Sequence, residues 1–229
     1  MSKTTSLKKL ALFDLDHTLI PIDSDYEWGV FTTALGWNDA GEFSRRNEAF
    51  FAQYRAGTLD IHAYIRFATR ALCQRSATQA EAVRALFMRD VVQNVIQPNA
   101  LALVQEHQRA GDWVVIVTAT NAFVTRPIAD AFGVPELIAV DLAVDAQTGW
   151  YNGEIHGTPS FREGKIARVQ QWLAQRQMGW DEVETTFYSD SINDLPLLEH
   201  AAHPVATNPD PRLHEIALNR GWRILKLFE

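Results

Sequence analysis

The sequence predicts an α/β fold, a doubly wound and mostly parallel Rossmann-like sheet with an inserted helical segment. Short apolar runs of strand length, Leu10-Ala11-Leu12-Phe13, Trp113-Val114-Val115-Ile116-Val117, Leu137-Ile138-Ala139-Val140 and Thr185-Thr186-Phe187-Tyr188, suit strands covered on both faces. Beyond residue 97 these runs alternate with helix-periodic segments, the pattern of parallel strands joined by right-handed crossovers. The first run is separated from the second by a long stretch that carries helical spacing alone.

Taken in order, the first run closes on Asp14-Leu15-Asp16-His17-Thr18. A buried strand that ends in two carboxylates one residue apart delivers them to the carboxyl edge of a sheet, where open α/β folds place their ligands. From Leu19-Ile20-Pro21 to about Ile96, apolar residues such as Tyr26, Val30 and Phe31, then Phe50, Phe51 and Tyr54, then Ile61, Tyr64 and Ile65, recur at helical spacing, punctuated by Gly36, Gly41, Gly57 and Ser76. This assigns 21–96 to a small helical bundle and leaves 1–20 and 97–229 for the α/β core. Pro98 opens a helix that Gly111 closes, and the strand after it ends at Thr118-Ala119-Thr120-Asn121. A helix over about Phe123–Phe132 leads to the strand Leu137–Val140. Looser alternation from Leu142 to His156, with turn pairs Thr148-Gly149 and Asn152-Gly153, predicts a β-hairpin that leaves the main sheet. Ser160 with Glu163 three residues on reads as a capping box, which puts Lys165 in the first turns of a helix continuing through Val169, Trp172 and Leu173. The strand over Thr185–Tyr188 ends at Ser189-Asp190-Ser191-Ile192-Asn193-Asp194, and His203–Ala206, a helix from Pro211 to Asn219 and a strand over Trp222–Leu225 complete the chain.

Composition narrows the function classes. A chain of 229 residues that is 47% hydrophobic can bury a sizeable core, as one globular body with a large insertion or as two unequal domains. The formal charge is −7, and the 21 Lys and Arg form no long basic block, so nothing recruits nucleic acid or an anionic membrane. No apolar stretch reaches the roughly 18 residues of a membrane-spanning helix. The apolar segment behind Lys3, Lys8 and Lys9 meets Asp14 after four residues, too soon for a signal-peptide core. The single cysteine, Cys73, rules out an internal disulfide framework and suits a reducing compartment, so the protein is expected to be cytoplasmic, with a small soluble substrate and no obligate protein partner.

Alone, Asp-x-Asp-x-Thr is ordinary turn and cap chemistry. Here it is followed in order by a Thr at a strand end (Thr118), a Lys near a helix start (Lys165) and the pair Asp190-x-x-x-Asp194 after a further strand. That set, on this strand–helix pattern, resembles the haloacid dehalogenase (HAD) superfamily of phosphohydrolases, whose four signature motifs come in this order. The helical insertion between the first and second motifs corresponds to that superfamily's C1 cap. The stretch Ser189–Leu198 and the hairpin before Lys165 are similar to the phosphoserine phosphatase-like members of subfamily IB. Ser189 and Ser191 stand where glycines are common in that motif, and Thr118 stands where phosphoserine phosphatases have Ser.

The resemblance implies that Asp14 is the nucleophile, becoming an aspartyl-phosphate, and that Asp16 is the general acid and then base. It implies a metal site of Asp14, Asp190 and the backbone carbonyl of Asp16, with Thr118 and Lys165 on the phosphate, Asn193 supporting the loop or the phosphate, and Asp194 orienting Lys165 or a metal-bound water. The residues themselves favour Mg²⁺, because carboxylates at neighbouring strand ends repel one another until a hard cation with oxygen ligands joins them. Dehalogenases of the superfamily lack the second acid, so Asp16 favours transfer of phosphate from an oxygen ester to water.

Asp23 stands where phosphoserine phosphatases carry a Glu for the substrate amine, and it could equally cap the first helix of the insertion. Arg45, Arg46 and Arg55 are candidates for a substrate carboxylate, though helix arginines are commonly solvated. His17 reads as packed or solvated, and Trp28, Trp37 and the phenylalanines of 21–96 either line a lid or form the bundle's own core. The expected activity is hydrolysis of a small phosphomonoester, phosphoserine-like or histidinol phosphate-like. Its rivals are phosphate transfer to a second hydroxyl, as in a phosphomutase, and a non-catalytic phosphometabolite-binding protein.

Overall fold

The computed structural model describes residues 7–228, so Lys3 and the outermost residues of the predicted core segments lie outside the described residues. Strand β1 (Lys8–Phe13) runs parallel between β2 (Trp113–Asn121) and β6 (Val183–Ser189). With β3 (Glu136–Val140), β7 (His203–Thr207) and β8 (Arg223–Leu225), they form a six-stranded sheet of order β3-β2-β1-β6-β7-β8 in which every pairing is parallel. The strand order reverses at β1, which makes the carboxyl end of that strand the topological switch point.

Strand alternation divides the core. Leu10 and Leu12 face one side with Val115, Val117 and Phe187, covered by α7 (Glu163–Ala174), α8 (Leu195–His200) and α9 (Pro211–Arg220). Ala11 and Phe13 face the other with Val114, Ile116 and Tyr188, against α5 (Pro98–Ala110) and α6 (Ala122–Ala131). Each fully buried leucine of this kind stabilises the fold by about 1.5–3 kcal/mol relative to an exposed one. Covering on both faces explains why the strands read as unbroken apolar runs.

Residues between β1 and α5 form α1 (Ser24–Ala34), α2 (Ala40–Ala56), α3 (Ile61–Cys73) and α4 (Ala77–Asp90). Asp23, Asp39, Asp60 and Ser76 cap them with side-chain oxygens on first-turn N–H groups. Trp28 meets Trp37, Phe87 and Phe123 edge-on, and so belongs to the packed interior that joins α1 and α4 to α6. Helix α2 is different, with no fully buried residue along its length.

Two local expectations are corrected. Asn152-Gly153 is not a turn. The hairpin pairs β4 (Leu142–Val144) with β5 (Tyr151–Ile155), and Gly153 lies inside β5 at φ 87°, where a Cβ would approach Thr69 and Cys73 of α3. The hairpin packs against α3, and the positive φ, which strains any residue with a Cβ, accounts for the glycine. The Ser160–Glu163 capping box does not form either, because α7 begins only at Glu163 and Ser160 Oγ is buried without a partner. The chain winds tightly first, with Phe161 N–H on Pro159 O and Gly164 N–H on Phe161 O. A Cβ on Gly164 would lie 2.1 Å from Pro159 O. This delay leaves Lys165 in the first turn of α7.

Candidate active site

Phe13 pairs in register with Ile116 on β2 and Tyr188 on β6, so the residues just beyond them, Asp14, Thr118 and Asp190, leave the sheet edge side by side. Asp14 N–H extends the strand by donating to Tyr188 O at 2.9 Å. The chain then turns sharply, with Leu19 N–H on Leu15 O at 2.8 Å and His17 at φ 56°. Asn208 Nδ2 holds this turn from the far side through His17 O at 3.0 Å.

Lys165 is buried between two carboxylates, with Nζ 2.7 Å from Asp14 Oδ1 and 2.6 Å from Asp194 Oδ2. Burial opposes its charge, but the neighbouring Asp14 and Asp194 outweigh burial and hold the ammonium well above the ordinary lysine range. Thr18 Oγ1 lies 3.3 Å from Asp14 Oδ2 and 3.2 Å from Asp190 Oδ1, and it accepts Asp190 N–H at 3.0 Å. Burial pushes the Asp14 carboxyl up, Lys165 opposing, and pushes Asp190 up further because Asp14 and Asp194 add their charges.

Asp16 turns away from this group. Its Oδ1 accepts Ser24 N–H and its Oδ2 accepts Thr120 Oγ1, each at 2.8 Å, so its carboxyl is tied to both α1 and β2. Burial, then the charge of Asp23, raises it to about 6. Thr118 accepts Thr120 N–H at 3.1 Å, which leaves its hydroxyl proton free to be donated. Thr120 was not singled out from the sequence, although the two-residue strand spacing from Thr118 is a usable signal once β2 is known to run to Asn121.

The loop after β6 is held by the two serines that replace glycines. Ser189 Oγ donates to Asp194 Oδ2 at 2.7 Å, while Ser191 Oγ accepts Asn193 N–H and meets Tyr54 OH at 2.8 Å. Asp194 is raised to about 6 by burial against the pull of Lys165. Asn193 does not hydrogen-bond the carboxylates. Its Oδ1 accepts Arg162 Nε and Nη2 at 3.2 and 3.1 Å, and its Nδ2 donates to Tyr54 O at 3.3 Å. Asp210, which the sequence marks only as a helix start, caps α9 and also accepts Ile192 N–H at 2.7 Å, while its own N–H donates to Asp190 O at 2.8 Å.

A cavity of about 530 Å³ opens over these groups, lined by Asp14, Asp16, Thr118, Lys165, Asp190, Asn193 and Asp194 on one side and by residues of α1–α3 on the other. Asp23 lines it, and Asp23 Oδ1 caps α1 through Asp25 and Tyr26 N–H, as the capping reading expects. His17, Phe50 and Phe51 line it as well, whereas Arg45, Arg46 and Arg55 do not. Instead, Arg46 pairs with Glu42 and packs on Phe67, and Arg55 packs on Phe51.

Asp25, one position beyond the Asp16-bound Ser24, is buried and accepts Asn121 Nδ2 at 3.1 Å. Burial, then the charges of Asp23 and Asp16, raises it to about 8. The native state therefore keeps a proton that the unfolded chain has already released, and this group's contribution to stability falls as pH rises from about 4 towards 8. Asn has the shape of the protonated carboxyl, so Asp25→Asn is expected to lose less melting temperature between pH 5 and pH 8 than the wild type does. Parallel slopes in thermal melts would show that Asp25 is not the group responsible.

Three parallel strands deliver Asp14, Thr118 and Asp190 to one switch-point cavity, and α7 brings Lys165 to them. The haloacid dehalogenase-like hydrolase family profile matches residues 11–199, and the chain belongs to that family. A histidinol-phosphatase of Neisseria meningitidis is 41% identical over 220 residues, which cover 96% of this chain and 99% of that protein. A crystal structure of a protein of unknown function from Bordetella pertussis superposes with a TM-score of 0.91 at 47% identity, covering 97% of this chain and 100% of that one. A substrate-bound phosphoserine phosphatase shares the fold, with a TM-score of 0.67 at 17% identity over 95% of this chain and 92% of that one. The chain is a phosphatase with a phosphoserine phosphatase-like fold. Among the described residues no helix is long and apolar enough to cross a membrane.

Proposed function

We propose that the chain is a Mg²⁺-dependent phosphatase that hydrolyses a small amine-bearing phosphomonoester through phosphorylation of Asp14. The observation that carries this reading is the pairing of Asp14, bonded to Lys165 at 2.7 Å, with a second acid two residues on whose carboxyl is raised to about 6. An acid of that strength both gives and takes a proton near neutrality.

The donor set fits Mg²⁺. The Thr18 hydroxyl bridges Asp14 and Asp190, and the buried Asp14 and Asp194 with the half-buried Asp190 set three carboxylates against the single ammonium of Lys165. Among the described residues no three His, Cys, Asp or Glu side chains are grouped to hold a metal. Two carboxylates and the Asp16 carbonyl suit an ion that keeps several waters, and they do not suit zinc. When bound, the cation would neutralise charge between the Asp14 carboxylate and the phosphate.

Asp14 attacks phosphorus in line, forming an Asp–O–P bond as the bond from phosphorus to the ester oxygen breaks. Asp16 gives its proton to that departing oxygen and then takes one from the water that attacks the phosphoaspartate, releasing inorganic phosphate and regenerating Asp14. Lys165 holds Asp14 and meets the growing charge on phosphate, joined by the Thr118 hydroxyl. Arg162 holds the Asn193 amide by its Oδ1 and Tyr54 O takes its NH₂, so Asn193 ties the loop after β6 to α2 at the cavity's edge. Residues 21–96 act as a cap over a core of 1–20 and 97–229, since α1–α3 supply the cavity's roof.

Asp23 supports an amine on the leaving group, which phosphoserine and histidinol phosphate both carry, and the similarity to a histidinol-phosphatase supports the second. The single cysteine, Cys73, supports a cytoplasmic setting. Purified protein is expected to release inorganic phosphate from p-nitrophenyl phosphate with Mg²⁺ and to stop on addition of EDTA. No turnover with Mg²⁺ would sink the enzyme reading.

A further inference from the structure

The part of the cavity built by α1–α3 has a charge pattern that the catalytic groups do not explain. Glu27, one turn on from the Asp23 cap of α1, lines the same cavity, and so does Glu48 of α2, an exposed residue at its mouth whose Oε1 accepts Ser44 Oγ at 3.4 Å. Among the described residues none of the three carboxylates lies within ion-pair distance of a lysine, arginine or histidine. The only ammonium or guanidinium among the described lining residues is that of Lys165, already committed to Asp14 and Asp194. Flat walls accompany the acids, namely the rings of Tyr26, Phe50 and Tyr64.

Resting on the phosphatase reading above, we propose that Glu27 and Glu48 are specificity-determining residues, and that this enzyme selects phosphomonoesters whose leaving alcohol carries a cationic amine and a flat ring but no carboxylate. A ligand amine restores the charge balance that the protein leaves open, and a ring fills the aromatic slot with little loss of conformational freedom. A substrate carboxylate would enter a site with three acids and no lysine or arginine free to receive it, His17 being the one imidazole among the described lining residues and already facing Asp23, so repulsion disfavours it. Glu27 and Glu48 touch the leaving group and not the reacting phosphorus, so they act on selection.

The test compares kcat/KM, with Mg²⁺, for histidinol phosphate (amine and ring), O-phosphoserine (amine and carboxylate) and p-nitrophenyl phosphate (ring alone) in the wild type and in Glu27→Gln, Glu48→Gln and the double variant. Histidinol phosphate is expected to exceed phosphoserine by about 100-fold or more in the wild type. In the double variant its advantage over p-nitrophenyl phosphate is expected to fall about 10-fold or more, chiefly through KM. Phosphoserine equal to or better than histidinol phosphate, or an unchanged ratio in the double variant, would overturn the proposal. Loss of turnover on all three esters would instead strike the phosphatase reading. Calorimetric binding of histidinol against serine then still decides the charge selection, with equal binding counting against it.

Discussion

Asp14→Asn is expected to lower phosphate release by about 10⁴-fold or more, because the variant lacks the oxygen nucleophile and keeps only the positioning groups around it. Asparagine preserves the shape of a side chain that is 10% exposed, and Lys165 retains Asp194 at 2.6 Å, so the fold is expected to survive. The comparison is made with p-nitrophenyl phosphate and Mg²⁺, alongside melting temperatures for both proteins. Acid-quenched wild-type protein is expected to carry a phosphoryl adduct in its intact mass, and the variant none. A variant rate near that of the wild type would show that another residue attacks phosphorus.

Lys165→Met should damage both chemistry and stability. The Lys165 side chain is 2% exposed and its ammonium is bonded to two buried carboxylates, so its removal leaves Asp14 and Asp194 without their counter-charge. Loss of one buried partner of this kind costs about 3–5 kcal/mol, and loss of a donor that meets charge in the transition state costs about 10²–10³-fold in rate. The wild-type lysine, held above its ordinary range, contributes stability throughout the neutral region and loses it only as pH rises past the unfolded lysine value. In the variant the two carboxyls, already raised by burial, bind protons in the folded state that the unfolded chain has released. Stability then falls as pH rises, and the deficit against wild type is expected to be larger at pH 8 than at pH 5. Urea midpoints in EDTA at the two pH values measure this, and an equal deficit at both would show that the carboxylates are not what Lys165 stabilises.

The candidate site was legible to the extent that it is carried by strand ends. Asp14, Thr118 and Asp190 each follow an apolar run, and parallel pairing places such ends together whatever the loops do. Lys165 was legible by its place near a helix start, but the reason given for that start was wrong. Ser160 is buried and uncapped, and the strained Arg162 at φ 51° begins the helix instead. Thr120, Ser24 and Asp210 were missed as partners because each acts through a hydrogen bond to a residue remote in sequence or loop, and neither spacing nor propensity encodes those. Ser189 at the end of β6 and Ser191 just beyond it depart from a glycine pattern in sequence, and their hydroxyls bond Asp194 and Tyr54, partners that only the fold brings near.

Apolar runs and their alternation with helical periods determined the α/β class, since burial on both faces leaves a strand no polar positions. The sequence by itself also placed Asp14, Thr118, Lys165 and Asp190 at element boundaries, where parallel strand ends and the start of α7 meet. Only the tertiary structure decided how the set is wired: that Lys165 is shared by Asp14 and Asp194, that Asp16 is tied to α1, and that α1 and α2 bring unpaired acids and rings over the cavity while Arg45, Arg46 and Arg55 stay out of it. The physical reason is that charge pairing depends on separations of a few ångströms between residues far apart in the chain. Periodicity places an element's faces, and packing alone sets those separations.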